Sequence, residues 1–130
     1  MSVDFVSNQE IIMAARRNLT QNVWDYLTGG AESETTMRRN RFALDSLAFR
    51  PRVLIDVSKI DTTWSFLGQP MRLPVMTAPI GGLETFDPEG GAAVARATAQ
   101  FGVAQMLSSV CAPGLEATAK AADNFRIFQL

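Results

Sequence analysis

The chain has 130 residues, the size of one ordinary domain, and 12 Lys+Arg against 13 Asp+Glu give a formal charge of −1. That balance removes any net-charge argument for a nucleic-acid or membrane-surface partner, and a single cysteine, Cys111, excludes an internal disulfide framework and a cysteine-based zinc site. With no histidine, no imidazole base, histidine metal ligand or Ser-His-Asp relay runs on these residues alone.

Met1–Val6 has neither the basic start nor the apolar core of a signal peptide. No apolar run reaches the roughly 18 residues of a membrane helix, so no transmembrane segment is expected and the cytoplasm is the expected compartment. Ser7-Asn8-Gln9-Glu10 has capping-box spacing, with Ser7 accepting from the Glu10 amide and Glu10 reaching back to the Ser7 amide. The helix it starts carries Ile11, Ala14, Ala15 and Leu19 on one face. A second helix, Asn22 to Leu27, is expected to stop at Gly29-Gly30 in left-handed conformations. Ser33 or Glu34 opens a third through about Leu47, apolar at Met37, Leu44 and Leu47 and basic at Arg38, Arg39 and Arg41. No aromatic interleaving accompanies those arginines, so a solvated face is the reading and no nucleic-acid partner is expected.

From Arg52 the period changes. Val53–Val57 and Thr62–Leu67 read as extended, Gly68-Gln69-Pro70 as a turn, and Val75–Ile80 as a strand buried on both faces. Asp87-Pro88-Glu89 reads as an N-cap followed by proline at the first helical position, opening an alanine-rich helix that closes at Gly102. Gln105–Val110 is a second strand, Leu115 to Ala122 a helix introduced by Pro113, and Phe125–Leu130 a third strand. Alternating strand and helix predicts a parallel sheet with right-handed crossovers, either a barrel or a doubly wound fold. No Gly-x-Gly-x-x-Gly and no phosphate-binding loop follows any strand. The third strand would present an open edge.

Trp24-Asp25-Tyr26-Leu27-Thr28-Gly29-Gly30-Ala31-Glu32-Ser33-Glu34-Thr35-Thr36 resembles a segment near the start of the FMN-dependent 2-hydroxy-acid dehydrogenases and oxidases, a family that includes glycolate oxidase, lactate oxidase and mandelate dehydrogenase. The resemblance continues in order through Asn40-Arg41, Phe49–Arg52, Leu54–Val57, Leu73–Gly81, Leu107-Ser108-Ser109 and Phe128-Gln129-Leu130. It implies an α/β fold, an incomplete (β/α)8 TIM barrel, with N-terminal helices over 1–50, a hairpin region over 51–73, and barrel strands 1 to 3 with two crossover helices over 74–130. It implies FMN as cofactor and oxidation of a small 2-hydroxy acid to a 2-oxo acid, with a homo-oligomer expected of the full-length form. By the resemblance, Pro79, Ile80 and Gly81 place backbone against the flavin, and Ser108 and Gln129 hydrogen-bond its polar edge. Tyr26 binds the substrate carboxylate.

Each residue also has a plainer reading: Ser108-Ser109 ends a strand and caps the next helix, Tyr26 is a half-buried packing aromatic, Gly81-Gly82 is a turn, and Cys111 is a small buried hydrophobe. Val110 stands where glycolate-oxidase-like members carry tryptophan, which implies a roomier substrate pocket. The histidine base, the flavin-proximal lysine, the substrate-binding arginines and the phosphate site belong to later parts of the family's barrel. The chain is therefore expected to be an N-terminal portion with no catalytic residue of its own, inactive alone and binding FMN weakly or not at all. The alternative is a non-catalytic barrel remnant or interaction module that self-associates through the open sheet edge.

Overall fold

The computed structural model describes residues 5–130, so residues 1–4, part of the stretch read above for a signal segment, lie outside it. Two compact units divide the chain, one ending at Asp56 and one starting at Val57.

The first unit holds three helices, α1 (Asn8–Asn18), α2 (Gln21–Thr28) and α3 (Thr35–Asp45). Ser7 caps α1, its hydroxyl accepting from the Glu10 amide at 3.4 Å. The Glu10 carboxylate reaches one residue further back than the capping box predicts and accepts from the Val6 amide at 2.7 Å. Thr20 caps α2 by accepting from Val23 N at 3.4 Å. The expectation of left-handed glycines after α2 is overturned: Gly29 is extended at φ −81°, ψ 157°, and the left-handed residues are Glu32 and Glu34 instead. Gly29 is small for another reason, since a Cβ there would lie 2.8 Å from the Asp25 carbonyl oxygen. On α3, Arg38 faces Glu34 at 3.9 Å and Arg41 pairs with Asp45, so two of the three arginines sit in exposed one-turn ion pairs. Val53–Val57 forms no strand: its side chains are exposed and Leu54 is left-handed at φ 58°. β-Forming residues alone do not make a strand without a ladder partner.

The second unit begins with a hairpin, β1 (Trp64–Phe66) antiparallel to β2 (Gln69–Met71). Its turn is Leu67-Gly68, both left-handed at φ 50° and 77°, and not the expected Gly68-Gln69-Pro70. Two central residues with positive φ make the type I′ geometry that matches strand twist, so Gln69 and Pro70 enter the strand. A three-stranded parallel sheet follows in the order β3 (Met76–Thr77), β4 (Ala104–Ser108), β5 (Arg126–Gln129). The crossovers are α4 (Gly90–Phe101) and α5 (Leu115–Ala121).

β3 corrects the expectation of a strand buried on both faces. Only Met76 and Thr77 pair with β4, both are half-buried, and Val75 and Ile80 are exposed. Pro74 and Pro79 bracket the run, and neither has an N–H to give a ladder. Asp87 does not cap α4 directly: its carboxylate accepts from Glu89 N at 2.8 Å in a turn, and the helix starts at Gly90. Gly102 closes α4 in the left-handed conformation at φ 80°, as expected of a C-terminal glycine.

Small residues bring α4 down onto the sheet. Ala95 and Ala104 are fully buried, Leu107 is 1% exposed, and a Cβ at Gly91 would lie 3.0 Å from Leu107 Cδ1 and 3.2 Å from Cys111 Sγ. Cys111 is accordingly a small buried side chain in that packing. Between the sheet and its helices runs a polar chain. Gln105, 1% exposed, donates to the Gly91 carbonyl at 2.9 Å and accepts from Arg126 Nε at 3.0 Å. Arg126 continues to the carbonyls of Thr118 (3.3 Å) and Ala122 (3.2 Å) and to Asn124, which itself donates to Thr98 Oγ1 at 2.8 Å. Burial pulls the Arg126 guanidinium below its ordinary pKa, and the Asp123 charge opposes that shift. An arginine so shifted stays cationic in any physiological range.

Candidate functional site at the C-terminal ends of the strands

The two ends of the parallel sheet are differently built. At the N-terminal end the hairpin is seated on the strands: Arg72 N donates to Gly102 O at 2.7 Å, the Arg72 guanidinium lies 4.7 Å from the Phe101 ring centre, and Phe66 and Phe125 rings stand 6.3 Å apart. Cavities of about 170 and 480 Å³ flank that seat, lined by hairpin residues and the α4 terminus.

The C-terminal end carries the residues singled out from the sequence. Register pairs Ser108 with Gln129, and Ser109 N donates to Gln129 O at 3.0 Å, so the two side chains end adjacent strands side by side. Ser108 is buried and its hydroxyl accepts from Val110 N at 3.3 Å, leaving its own proton to donate. It therefore caps the turn after β4 rather than the next helix, whose N-cap is Gly114. Gln129 is exposed. Pro79, Ile80 and Gly81 leave β3 toward the same end: Gly82 N donates to Val110 O at 2.9 Å, and a Cβ on Gly81 would lie 3.8 Å from Ser108 Oγ. Five of the six expected site residues thus converge on one edge. Tyr26 belongs to the first unit and is 74% exposed, which corrects the half-buried packing reading.

The loop that frames this edge is tightly held, and the sequence reading missed the residues that hold it. Glu84 Oε2 accepts from Ala112 N at 3.0 Å. Ala112 O accepts from Gly91 N at 2.9 Å, and a Cβ on left-handed Gly90 would strike that oxygen at 2.4 Å. A glycine pair opening a helix beneath a loop carbonyl was the available signal; only the loop's position makes it readable.

A planar, hydrogen-bonding ligand is compatible with this edge. A hydroxyl and a carboxamide supply donors and acceptors side by side. Another apolar cavity of about 300 Å³, lined by Thr77, Leu83, Val94 and Leu107 among others, lies on the helix side of β3 and β4. Among the described residues no cluster of three or more potential metal ligands is present, and no helix is long and apolar enough to cross a membrane.

The FMN-dependent dehydrogenase family matches residues 15–130. Among curated relatives, the peroxisomal (S)-2-hydroxy-acid oxidase GLO4 of Oryza sativa subsp. indica is 40% identical over 125 residues, covering 96% of this chain and 34% of the relative. Glycolate oxidase of Spinacia oleracea is 38% identical over 130 residues, covering all of this chain and 35% of its own. A solved mandelate oxidase with (S)-mandelic acid superposes at a TM-score of 0.90 with 33% identity, covering 98% of this chain and 38% of that one. The chain spans about a third of the length of the curated relatives it matches. Its mixed α/β architecture is that of enzymes built as TIM barrels, and FMN is the cofactor of the family. With the match running across nearly the whole chain, this protein belongs to the FMN-dependent dehydrogenase family.

Proposed function

We propose that these residues form the first part of a (β/α)8 barrel, strands 1 to 3 with two crossover helices, in an FMN-dependent enzyme that oxidises a small 2-hydroxy acid to the 2-oxo acid. The observation that carries the reading is the convergence of Pro79–Gly81, Ser108 and Gln129 on the C-terminal ends of consecutive parallel strands, where barrel enzymes keep their sites. FMN, when bound, supplies the two-electron acceptor for such a reaction. The chain's own residues hold and orient it. Ser108 donates its hydroxyl proton to a carbonyl of the ring's polar edge, Gln129 gives an amide N–H and a carbonyl beside it, and the 79–81 backbone lies against the ring. Tyr26 is assigned to the substrate carboxylate, through its phenolic O–H.

The chain has no histidine, so no imidazole among these residues serves as the proton-abstracting base. A general base contributes typically about 10²–10⁴-fold, so the 130 residues by themselves are expected to turn nothing over and to bind FMN weakly or not at all. The complete enzyme is proposed to be a cytoplasmic homo-oligomer. Adding millimolar FMN to the isotopically labelled chain tests the site: amide shifts centred on Gly81, Ser108 and Gln129 are expected. Shifts confined to the hairpin end would sink the assignment, and a flavin-loaded, active preparation would sink the inactivity.

A second reading, a non-catalytic module that self-associates, draws on β5 pairing, among the described residues, with β4 alone. Size-exclusion chromatography with a flavin absorbance trace separates the two. A flavin-free oligomer that dissociates on Ile127→Lys favours the module.

A further inference from the structure

Along α1 the residues Gln9, Ile12, Met13, Arg16 and Arg17 fall at i, i+3, i+4, i+7 and i+8, which puts them in one stripe of the helix surface. With Trp24 of α2 they line an open groove of about 310 Å³, all of it within the first unit. Ile12 and Met13 are each 48% exposed, so the stripe is apolar surface that the unit leaves uncovered. The half-buried side of α1 is a different one, marked by Ala14, Ala15 and the C-cap Leu19.

The groove carries two cations and no carboxylate. Arg16 is held in place: its guanidinium lies 5.4 Å from the Trp24 ring centre and donates to Gln21 Oε1. Gln21 in turn donates to Asp25 Oδ1 at 2.6 Å. The Arg17 guanidinium has no ion-pair or hydrogen-bond partner among the described residues. The acidic side chains of the three helices are already engaged, Glu10 with Val6 N at 2.7 Å, Asp25 with Gln21 and Asp45 with Arg41. A second copy would therefore offer the carboxylates of its helices only by breaking these contacts.

We propose that this groove is a docking surface for an acidic amphipathic helix of a partner protein. Apolar side chains of the partner seat on Ile12, Met13 and Trp24, and its carboxylates meet Arg16 and Arg17. Residues 9 to 17 span about 12 Å, room for roughly two turns of a helix with anchors at i, i+3, i+4 and i+7. A strand has nothing to pair with here, because the backbone groups of α1 and α2 are used within the helices. Trp, Met and Arg are also among the residue types enriched where proteins meet. The two arginines set the sign of charge the groove accepts, and the apolar floor holds whatever passes that selection.

The test uses the full 130-residue chain, isotopically labelled, and an alanine-based helical peptide of about 16 residues with leucines at i, i+3, i+4 and i+7 beside two glutamates. The chain's two tryptophans give separate indole N–H signals, so Trp24 reports the groove and Trp64 of β1 is the internal control. The glutamate peptide is expected to shift the Trp24 signal and leave Trp64 unmoved. The same peptide with lysines in place of the glutamates should bind about tenfold more weakly. Arg17→Glu should erase that preference, and Met13→Asp should weaken both peptides. Equal affinity for the two peptides on the wild-type chain overturns the proposal without recourse to any variant, as does a Trp24 signal that neither moves. A Trp24 shift that grows with protein concentration alone gives the groove to a second copy. One produced only by phosphatidylserine vesicles gives it to a membrane surface, and either result overturns the assignment to a partner helix.

Discussion

The two units use apolar residues in opposite ways. In the second, Leu107, Ala95, Ala104 and Cys111 are buried almost completely between sheet and helices. In the first, none of the three helices contains a buried residue, and Ile11, Ile12, Met13, Phe42, Leu44 and Leu47 remain exposed. The helices there have 11, 8 and 11 residues, below the about 12–15 at which an isolated helix becomes more than marginal in water. Their caps and ion pairs are local devices. The lesson is that helix signals in sequence are equally clear in both units, whereas the burial that makes helices stable belongs to one.

The sharpest way to break that comparison is to remove matched apolar side chains. Leu107→Ala, at a site 1% exposed and pressed on Gly91, should cost about 2–5 kcal/mol. Ile12→Ala on α1, nearly half exposed, should cost less than about 1 kcal/mol. Urea unfolding followed by circular dichroism reads both. Similar losses at the two positions would mean that the first unit has a core after all.

A smaller effect is expected at the polar chain between the sheet and its helices. Arg126→Met removes the donor from Gln105 Oε1 and from the carbonyls of Thr118 and Ala122, all in a part-buried setting. Leaving such acceptors unpaired costs about 1–3 kcal/mol, and no exposed arginine of the first unit should match it. Arg38→Met, whose contact with Glu34 is 3.9 Å long and exposed, is the control. Equal stability of the two variants would show that the chain Gln105–Arg126–Asn124 contributes only geometry.

How much of this was legible depended on whether a residue's role is local. Gly102, the Ser7 cap and the alternation of strands with α4 and α5 are set by neighbours in sequence, and they stand where the pattern placed them. Val53–Val57 has the composition of a strand but no ladder partner, and composition carries no information about partners. The shortness of β3 follows from Pro74 and Pro79, visible in the chain but outweighed in the reading by the apolar run between them. At the site, the motif order picked Ser108, Gln129 and Gly81, which register and packing bring to one edge. Glu84 and the Gly90–Ala112 notch were invisible because they act across 28 and 22 residues of intervening chain, so that only folding brings them together.

The smallest expected effect lies on the exposed face of α3 and depends on pH. The Arg41 guanidinium holds the Asp45 carboxyl below its ordinary value, chiefly through their hydrogen bond. A carboxyl whose folded pKa is depressed contributes stability that is present above its unfolded pKa, near 3.9, and is lost as pH falls through the folded value. The second unit carries a counterpart, since Thr63 N donates to Asp61 and lowers that carboxyl as well. Acidification below about pH 4 should therefore loosen both units slightly, and Asp45→Asn should remove the part that belongs to α3. The observable is the helical ellipticity of Asp45→Asn against wild type between neutral and acid pH. A difference at neutral pH that closes on acidification is the expected pattern, because protonation and substitution then remove the same bond. A difference that persists in acid would assign Asp45 a role that does not depend on its charge, and α3 would lose its place as the purely local, surface-held helix of the comparison.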